Sequence, residues 1–182
     1  MLVTERLRLR EWREADKALL AEIHSDPEVM QFLGGVKSFE ETCEVVDLLV
    51  SMFRSGEPGF WAAERISDGA LIGWLGLHNL GPEYPFGPAL EIGWRLGRRF
   101  WNQGYATEGA RAALNYAFDT LNASRVFGFT ALANARSEAV MQRIGMKKVK
   151  GGDFAHPDFL ATDPHSVHVL YVAERASRNS SM

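Results

Sequence analysis

Leu96-Gly97-Arg98-Arg99-Phe100-Trp101-Asn102-Gln103-Gly104-Tyr105-Ala106-Thr107-Glu108 carries the chain from a strand into a helix. Before it, Ala89 to Leu96 is an apolar-rich strand. After it, Ala110, Ala113, Leu114, Ala117, Phe118 and Leu121 recur on one helical face. The joining loop holds two arginines and ends on Gly104. Amides in the first turn of a helix have no internal partner, and the aligned peptide dipoles add partial positive charge there. Gly104 lets the backbone approach a bulky anion, and Ala106 and Ala110 keep the first turn slim. Such a junction suits a diphosphate. It also suits a plain tight turn, so the loop by itself leaves both readings open. Two commoner phosphate loops are excluded. No Gly-x-x-x-x-Gly-Lys-Ser/Thr run is present, and Gly97 with Gly104 does not make the three-glycine dinucleotide fingerprint.

Working outward, Arg6 to Trp12 alternates as a half-buried strand, with Leu7 and Leu9 between arginines. Ala15, Leu19, Leu20 and Ile23 follow at helical spacing, and Asp26-Pro27 closes that helix. A second helix starts at Ser38, which forms a capping box with Glu41, and stops near Gly56. Phe60 to Arg65 and Leu71 to His78 are strands joined by Ser67-Asp68-Gly69, and Asn79 to Pro88 is loop. Beyond the central helix come a strand at Arg125 to Ala131, a short helix from Ala135 to Ile144, and strands at Met146 to Lys150 and Val167 to Ala173. The order predicts an α+β single domain with a mixed sheet. The hairpin strands pair antiparallel, and the strand-helix-strand passage over 89–131 makes a parallel crossover.

The 182 residues are enough for one continuous core, and 46% apolar with 24% charged residues is ordinary globular composition. A net charge of -3 gives no global reason to expect nucleic acid or a membrane surface as partner. Cys43 is the single cysteine, so no intramolecular disulfide forms, and its helical setting suits a small buried hydrophobe. No apolar run reaches membrane-span length and the N-terminus has no signal-peptide core, which makes the cytoplasm the default location. His156, His165 and His168 match no zinc spacing, so no metal is expected. Trp94, Phe100, Trp101 and Tyr105 could stack on bases, but core and cofactor roles account for them better.

Trp101 to Glu108 resembles the acetyl-CoA signature of GNAT-type N-acetyltransferases, closest to the branch that includes the RimJ and RimL ribosomal-protein N-terminal acetyltransferases. Other segments agree in order. Thr4 to Arg10 resembles the branch's opening strand and Glu91-Ile92-Gly93-Trp94 its central strand. Asn134-Ala135-Arg136-Ser137 with Gly145-Met146 resembles its second cofactor motif, and His156-Pro157 with His168-Val169-Leu170-Tyr171 its C-terminal end. The resemblance implies a GNAT fold of about seven strands and about four helices, with parted parallel strands at the cofactor site. It implies an N-acetyltransferase domain over 1–174, with a frayed tail at 175–182. It also implies site residues. Trp94, Arg95 and Leu96 would offer backbone groups to the pantetheine arm. Asn102, Gln103, Gly104, Tyr105, Ala106 and Thr107 would wrap the diphosphate, helped by Arg99. Asn134 would bond the cofactor arm, and Ser137 would lie near the thioester sulfur. Two positions depart from the pattern. Trp101 stands where the general family has Gln or Arg, and Met141 where many members carry a Tyr acid.

The implied reaction moves an acetyl group from acetyl-CoA to a primary amine by direct attack. An α-amine, with a reference pKa of about 7.7 to 8.0, is partly neutral at physiological pH, whereas a lysine amine near 10.4 needs far more help. That favours a protein N-terminal amine as acceptor. The alternatives are a small-molecule amine (a drug, polyamine or amino acid) and a non-catalytic acyl-CoA-binding module; a homodimer is left open. Ser137 is the remaining candidate acid, and Glu91 the candidate base, acting through a water; an ion pair with an arginine in the sheet would also explain Glu91. Glu108 is read as a cap or an arginine partner, since a carboxylate is ill placed to bind phosphates.

Overall fold

In a computed structural model, which describes residues 1–175, the chain begins with two strands, β1 (Leu2–Val3) and β2 (Leu7–Arg10). Three helices follow: α1 (Asp16–His24), α2 (Pro27–Met30) and α3 (Phe39–Ser55). Then come β3 (Phe60–Arg65), β4 (Leu71–Leu80), β5 (Ala89–Leu96), a 3-10 turn at Arg98–Phe100 and α4 (Tyr105–Asp119). The C-terminal part is β6 (Arg125–Ala131), α5 (Ala135–Arg143), β7 (Lys147–Lys148), β8 (Phe154–Ala155) and β9 (Val167–Glu174). One mixed sheet runs β1-β2-β3-β4-β5-β6-β9-β7, with β8 also paired to β9. Every pairing is antiparallel except β5 with β6, which α4 connects as the parallel crossover requires.

Among the described residues the sheet has nine strands and the chain five helices, against the seven and four expected. The additions β1, β8 and α2 are too short to carry a periodic signal. Asp26-Pro27 ends α1 but also begins a helix: Asp26 caps α2 through the Glu28 amide, and proline suits a first turn, where its missing N–H is not needed. The capping box of Ser38 and Glu41 forms, and Gly56 closes α3 in the left-handed region. β4 continues to Leu80, beyond the expected end at His78.

Helices cover both faces. α1 and α3 bring Leu20, Ile23, Val46 and Leu49 onto Ala62 and Leu71. Leu19, read from the sequence as part of that apolar face, is 41% exposed and points outward. α4 lays Ala110, Ala113, Leu114 and Ala117 onto Leu75 and Ile92 from the other side. Its small side chains allow close contact; a Cβ at Gly109 would meet Leu75 Cδ2 at 2.3 Å. At one end, Arg10 is buried between Asp16, which it contacts at 2.7 Å, and Glu64, also at 2.7 Å. The expected tail lies almost wholly outside the described residues; Arg175 itself donates its amide to the Ser124 carbonyl. Among the described residues no helix is long and apolar enough to cross a membrane.

Candidate active site

The site arises where two strands part. β5 pairs with β4 from Ala89 to Leu96, but with β6 only at Glu91 and Phe127. From Ile92 onward, that edge of β5 has no ladder partner. The gap opens into a cavity of about 830 Å³. One part is lined by Trp94, Arg95, Leu96, Asn102, Gly104 to Thr107, and Asn134 to Ser137. The other is walled by Glu28, Val29, Phe32 to Gly34, Lys37, Trp74, His78, Tyr84, Glu91, Phe129, His156 and Phe159.

The loop before α4 is held in an unusual backbone shape. Asn102 (φ 59°) and Gly104 (φ 83°) are both left-handed, and no side chain caps the first turn of α4. Its amides are therefore left for water or a ligand, and an anion is the favoured guest. Trp101 pins the loop by donating its indole N–H to the Leu96 carbonyl at 2.8 Å, and the Arg136 guanidinium lies 4.2 Å above its ring. That is what the aromatic residue at this position does. Arg136 and Arg143 line the cavity, whereas Arg99 and Gln103 do not. Arg99 folds over Phe100, and Gln103 turns back to the Arg99 carbonyl. The sequence reading names Arg95 but neither Arg136 nor Arg143 as a site residue, because nothing in the spacing of α5 says which of its cations turn toward the cavity.

Glu108 is an arginine partner. It accepts from the Arg6 amide, from Arg6 Nε and from the Thr4 hydroxyl, tying the β1–β2 turn to α4. Burial alone would raise this carboxyl, but these donors hold it below its usual range.

Asn134 caps α5: its Oδ1 accepts from the Ser137 amide at 3.3 Å. Its Nδ2 donates to Thr130 Oγ1 at 2.9 Å and to Ser137 Oγ at 3.2 Å. Ser137 Oγ is thus an acceptor toward Asn134, which leaves its own proton free to donate elsewhere. Met141 is 1% exposed and packs into the core, so it supplies no proton to the cavity.

Glu91 shares a face of β5 with Gly93 and Arg95 and looks away from Ile92 and Trp94. Its nearest basic group is His78 Nδ1, at 3.8 Å, rather than an arginine. Burial pushes its carboxyl above the usual carboxylate range, against the pull of His78. Opposite stands an aromatic wall. Tyr84 Oη lies 3.5 Å from His156 Nε2, the His156 ring lies tilted against His168 at 4.7 Å, and His156 Nδ1 accepts the Asp158 amide. Nothing in the spacing of these side chains could have brought Tyr84 and His78 to Glu91, since they sit on a loop and on a neighbouring strand.

A profile described as "Acetyltransferase (GNAT) domain" matches residues 6–147. The chain belongs to the GNAT acetyltransferase family. YkkB of Bacillus subtilis is 32% identical over 146 residues, 80% of this chain and 84% of its own. The FsC-acetyl coenzyme A-N(2)-transacetylase of Aspergillus fumigatus is 32% identical over 155 residues, 82% of this chain and 66% of its own. Among solved structures, a GNAT-family acetyltransferase from Bacillus anthracis is 26% identical, with a TM-score of 0.79 over 95% of this chain and 97% of that one. RimL, a ribosomal-protein alpha-N-acetyltransferase solved with coenzyme A, has a TM-score of 0.77 at 20% identity, over 95% of this chain and 96% of that one; that likeness is one of fold. This GNAT acetyltransferase thus keeps the parted strands and the loop-to-helix junction that its sequence announced. An uncapped helix N-terminus, an unpaired strand edge, and the cations Arg136 and Arg143 thus border one cavity.

Proposed function

We propose that this acetyltransferase moves the acetyl group of acetyl-CoA to a primary amine by direct attack, with a protein N-terminal amine as acceptor. The observation that carries this reading is the single cavity at the parted strands, which contains both Ser137 and Glu91 beside the first turn of α4. Asn102, Gly104 to Thr107, Arg136 and Arg143 hold the diphosphate, and the open edge of β5 at Trp94 to Leu96 receives the pantetheine arm. Glu91, its carboxylate made more basic by burial, draws a proton from the incoming amine through a water. The amine then attacks the thioester carbonyl and the C–S bond breaks. Ser137, whose proton is left free by the bond it accepts from Asn134, protonates the departing thiolate, and its oxygen recovers a proton through water from the nitrogen of the adduct, which leaves as the neutral amide. The relative whose printed name includes acetyl coenzyme A supports the choice of acetyl donor. An α-amine, with a pKa of about 8, asks less of a base than a lysine amine near 10.4, which favours an N-terminal acceptor.

Calorimetric titration with acetyl-CoA, followed by thiol-release assays on N-terminal peptides and small amines, tests this. Binding with turnover on the peptides is expected. A folded protein that gives no heat with acetyl-CoA rules the reading out; turnover confined to small amines moves the acceptor to that class.

A further inference from the structure

Arg95 is a cation in the cavity wall with no acidic partner among the described residues. It stands on the Glu91 face of β5, away from the side where Ile92 and Leu96 pack against α4. Its Nη1 donates to His24 Nε2 at 2.8 Å, and its guanidinium lies 5.0 Å from the Trp74 ring centre. No other hydrogen bond of this guanidinium occurs among the described residues, and Nε is buried without any partner. The histidine side of the contact is built to receive it. His24 is fully buried; its Nδ1 faces Thr42 Oγ1 at 3.1 Å, and that hydroxyl donates to the Ser38 carbonyl. Since Thr42 gives its proton to Ser38, His24 carries its own on Nδ1 and accepts from Arg95 at Nε2. Burial, Arg95 and Lys37 together hold His24 neutral, with its pKa lowered to about 3.

Lys37 lines the same wall and likewise has no acidic partner among the described residues. The nearby acid Glu28 is already engaged, at 3.0 Å from Arg98 and 3.6 Å from Arg136. An unpaired cation in a half-buried position is costly, and desolvation lowers even this guanidinium to about 10. Stacking on Trp74 offsets only part of that. A carboxylate would satisfy the open fork of Arg95 in two hydrogen bonds.

We propose that Arg95, with Lys37, selects an acceptor that carries a carboxylate several bonds from its amine. The proposal rests on the acetyl-transfer reading, with the amine at Glu91. Four residues along a strand separate the two Cα atoms by roughly 13 Å, and the arginine side chain spans part of that. An α-amino acid is therefore too short. A peptide N-terminus with an acidic second residue, or an ω-amino acid, has the reach.

Two matched pairs test it by thiol release: tetrapeptides with glutamate or glutamine at the second position, and 5-aminopentanoate against 5-aminopentanamide. In the wild type, kcat/KM is expected to favour the acid at least tenfold in one pair, and which pair shows it distinguishes a peptide from a small-molecule acceptor. Arg95→Gln should collapse that ratio toward one, and Arg95→Lys should retain part of it. If Arg95→Gln does not fold, the wild-type ratio decides together with competition, where pentanoate must inhibit against the amine and pentanamide must not. Equal rates on acid and amide in the wild type overturn the proposal and leave acetyl transfer standing. Preference kept by folded Arg95→Gln overturns it too. Transfer to other amines in the thiol-release screen but to none of these four overturns this proposal and leaves acetyl transfer standing, whereas a folded protein that gives no heat with acetyl-CoA sinks both.

Discussion

In the proposed reaction Ser137 and Glu91 act in opposite protonation states, and each state has a cause in the geometry around it. Asn134 occupies one acceptor site on Ser137 Oγ, so the hydroxyl proton points elsewhere. CoA thiolate is a fairly good leaving group, so the benefit of an acid falls at the low end of the usual range. Ser137→Ala is expected to cut turnover roughly tenfold while acetyl-CoA affinity holds, which steady-state kinetics with a parallel binding titration will show. Full turnover in the variant would hand the proton to solvent. For Glu91 the sign is set by burial. Its folded pKa is raised, and a base works only when deprotonated, so activity is absent below that raised pKa and complete above it. The acid limb of kcat/KM against pH should therefore sit above the usual carboxylate range, and Glu91→Gln should lower the rate and remove that limb. A limb unmoved in the variant would mean that the amine arrives neutral.

At the level of elements, the junction into α4 was legible because its signals are local. Strand, glycine and small-residue helix follow one another within the quoted stretch, and β3, β5 and β6 fall where alternation put them. What sequence could not supply were the partners. β1 and β8 exist only because β2 and β9 offer edges, and the wall of Tyr84, Phe129, His156 and Phe159 is assembled from three separate segments. Arg95 was read for its backbone; its side chain matters because His24 and Trp74 converge on it from other elements. Two substitutions probe the junctions. Gly104→Val forces a β-branched residue into the left-handed region, with its Cβ about 3.3 Å from Arg6 Nη2. A cost of about 1–3 kcal/mol is expected, together with loss of acetyl-CoA binding, measured by thermal melting and calorimetry. Asn134→Ala removes the α5 cap, worth about 1 kcal/mol, and a rise in KM for acetyl-CoA beyond any fall in turnover is expected as well. An unchanged KM would confine Asn134 to capping.

The molecule as a whole is held on β2 by charge and opened between β5 and β6 by its topology. Arg10 is 7% exposed and sits between Asp16 and Glu64, themselves 3% and 5% exposed. Arg10→Met would leave Asp16 buried without its cation, and denaturant unfolding should show a loss of about 3–5 kcal/mol. A loss below 1 kcal/mol would mean that water reaches the cluster. In the middle of the sheet, the ladder from β1 to β5 and the ladder from β6 to β9 meet at a single parallel pair, Glu91 with Phe127. In mechanical terms the parted strands are a notch cut into a plate. Load carried across the plate gathers at the notch tip, and the tip is where Glu91 stands. A molecule that grips both lips bridges the notch and stiffens the plate; one that fills a single lip leaves the tip to carry the strain alone. Because one pair joins the two ladders, the rigidity of the whole sheet is expected to depend on what occupies the opening.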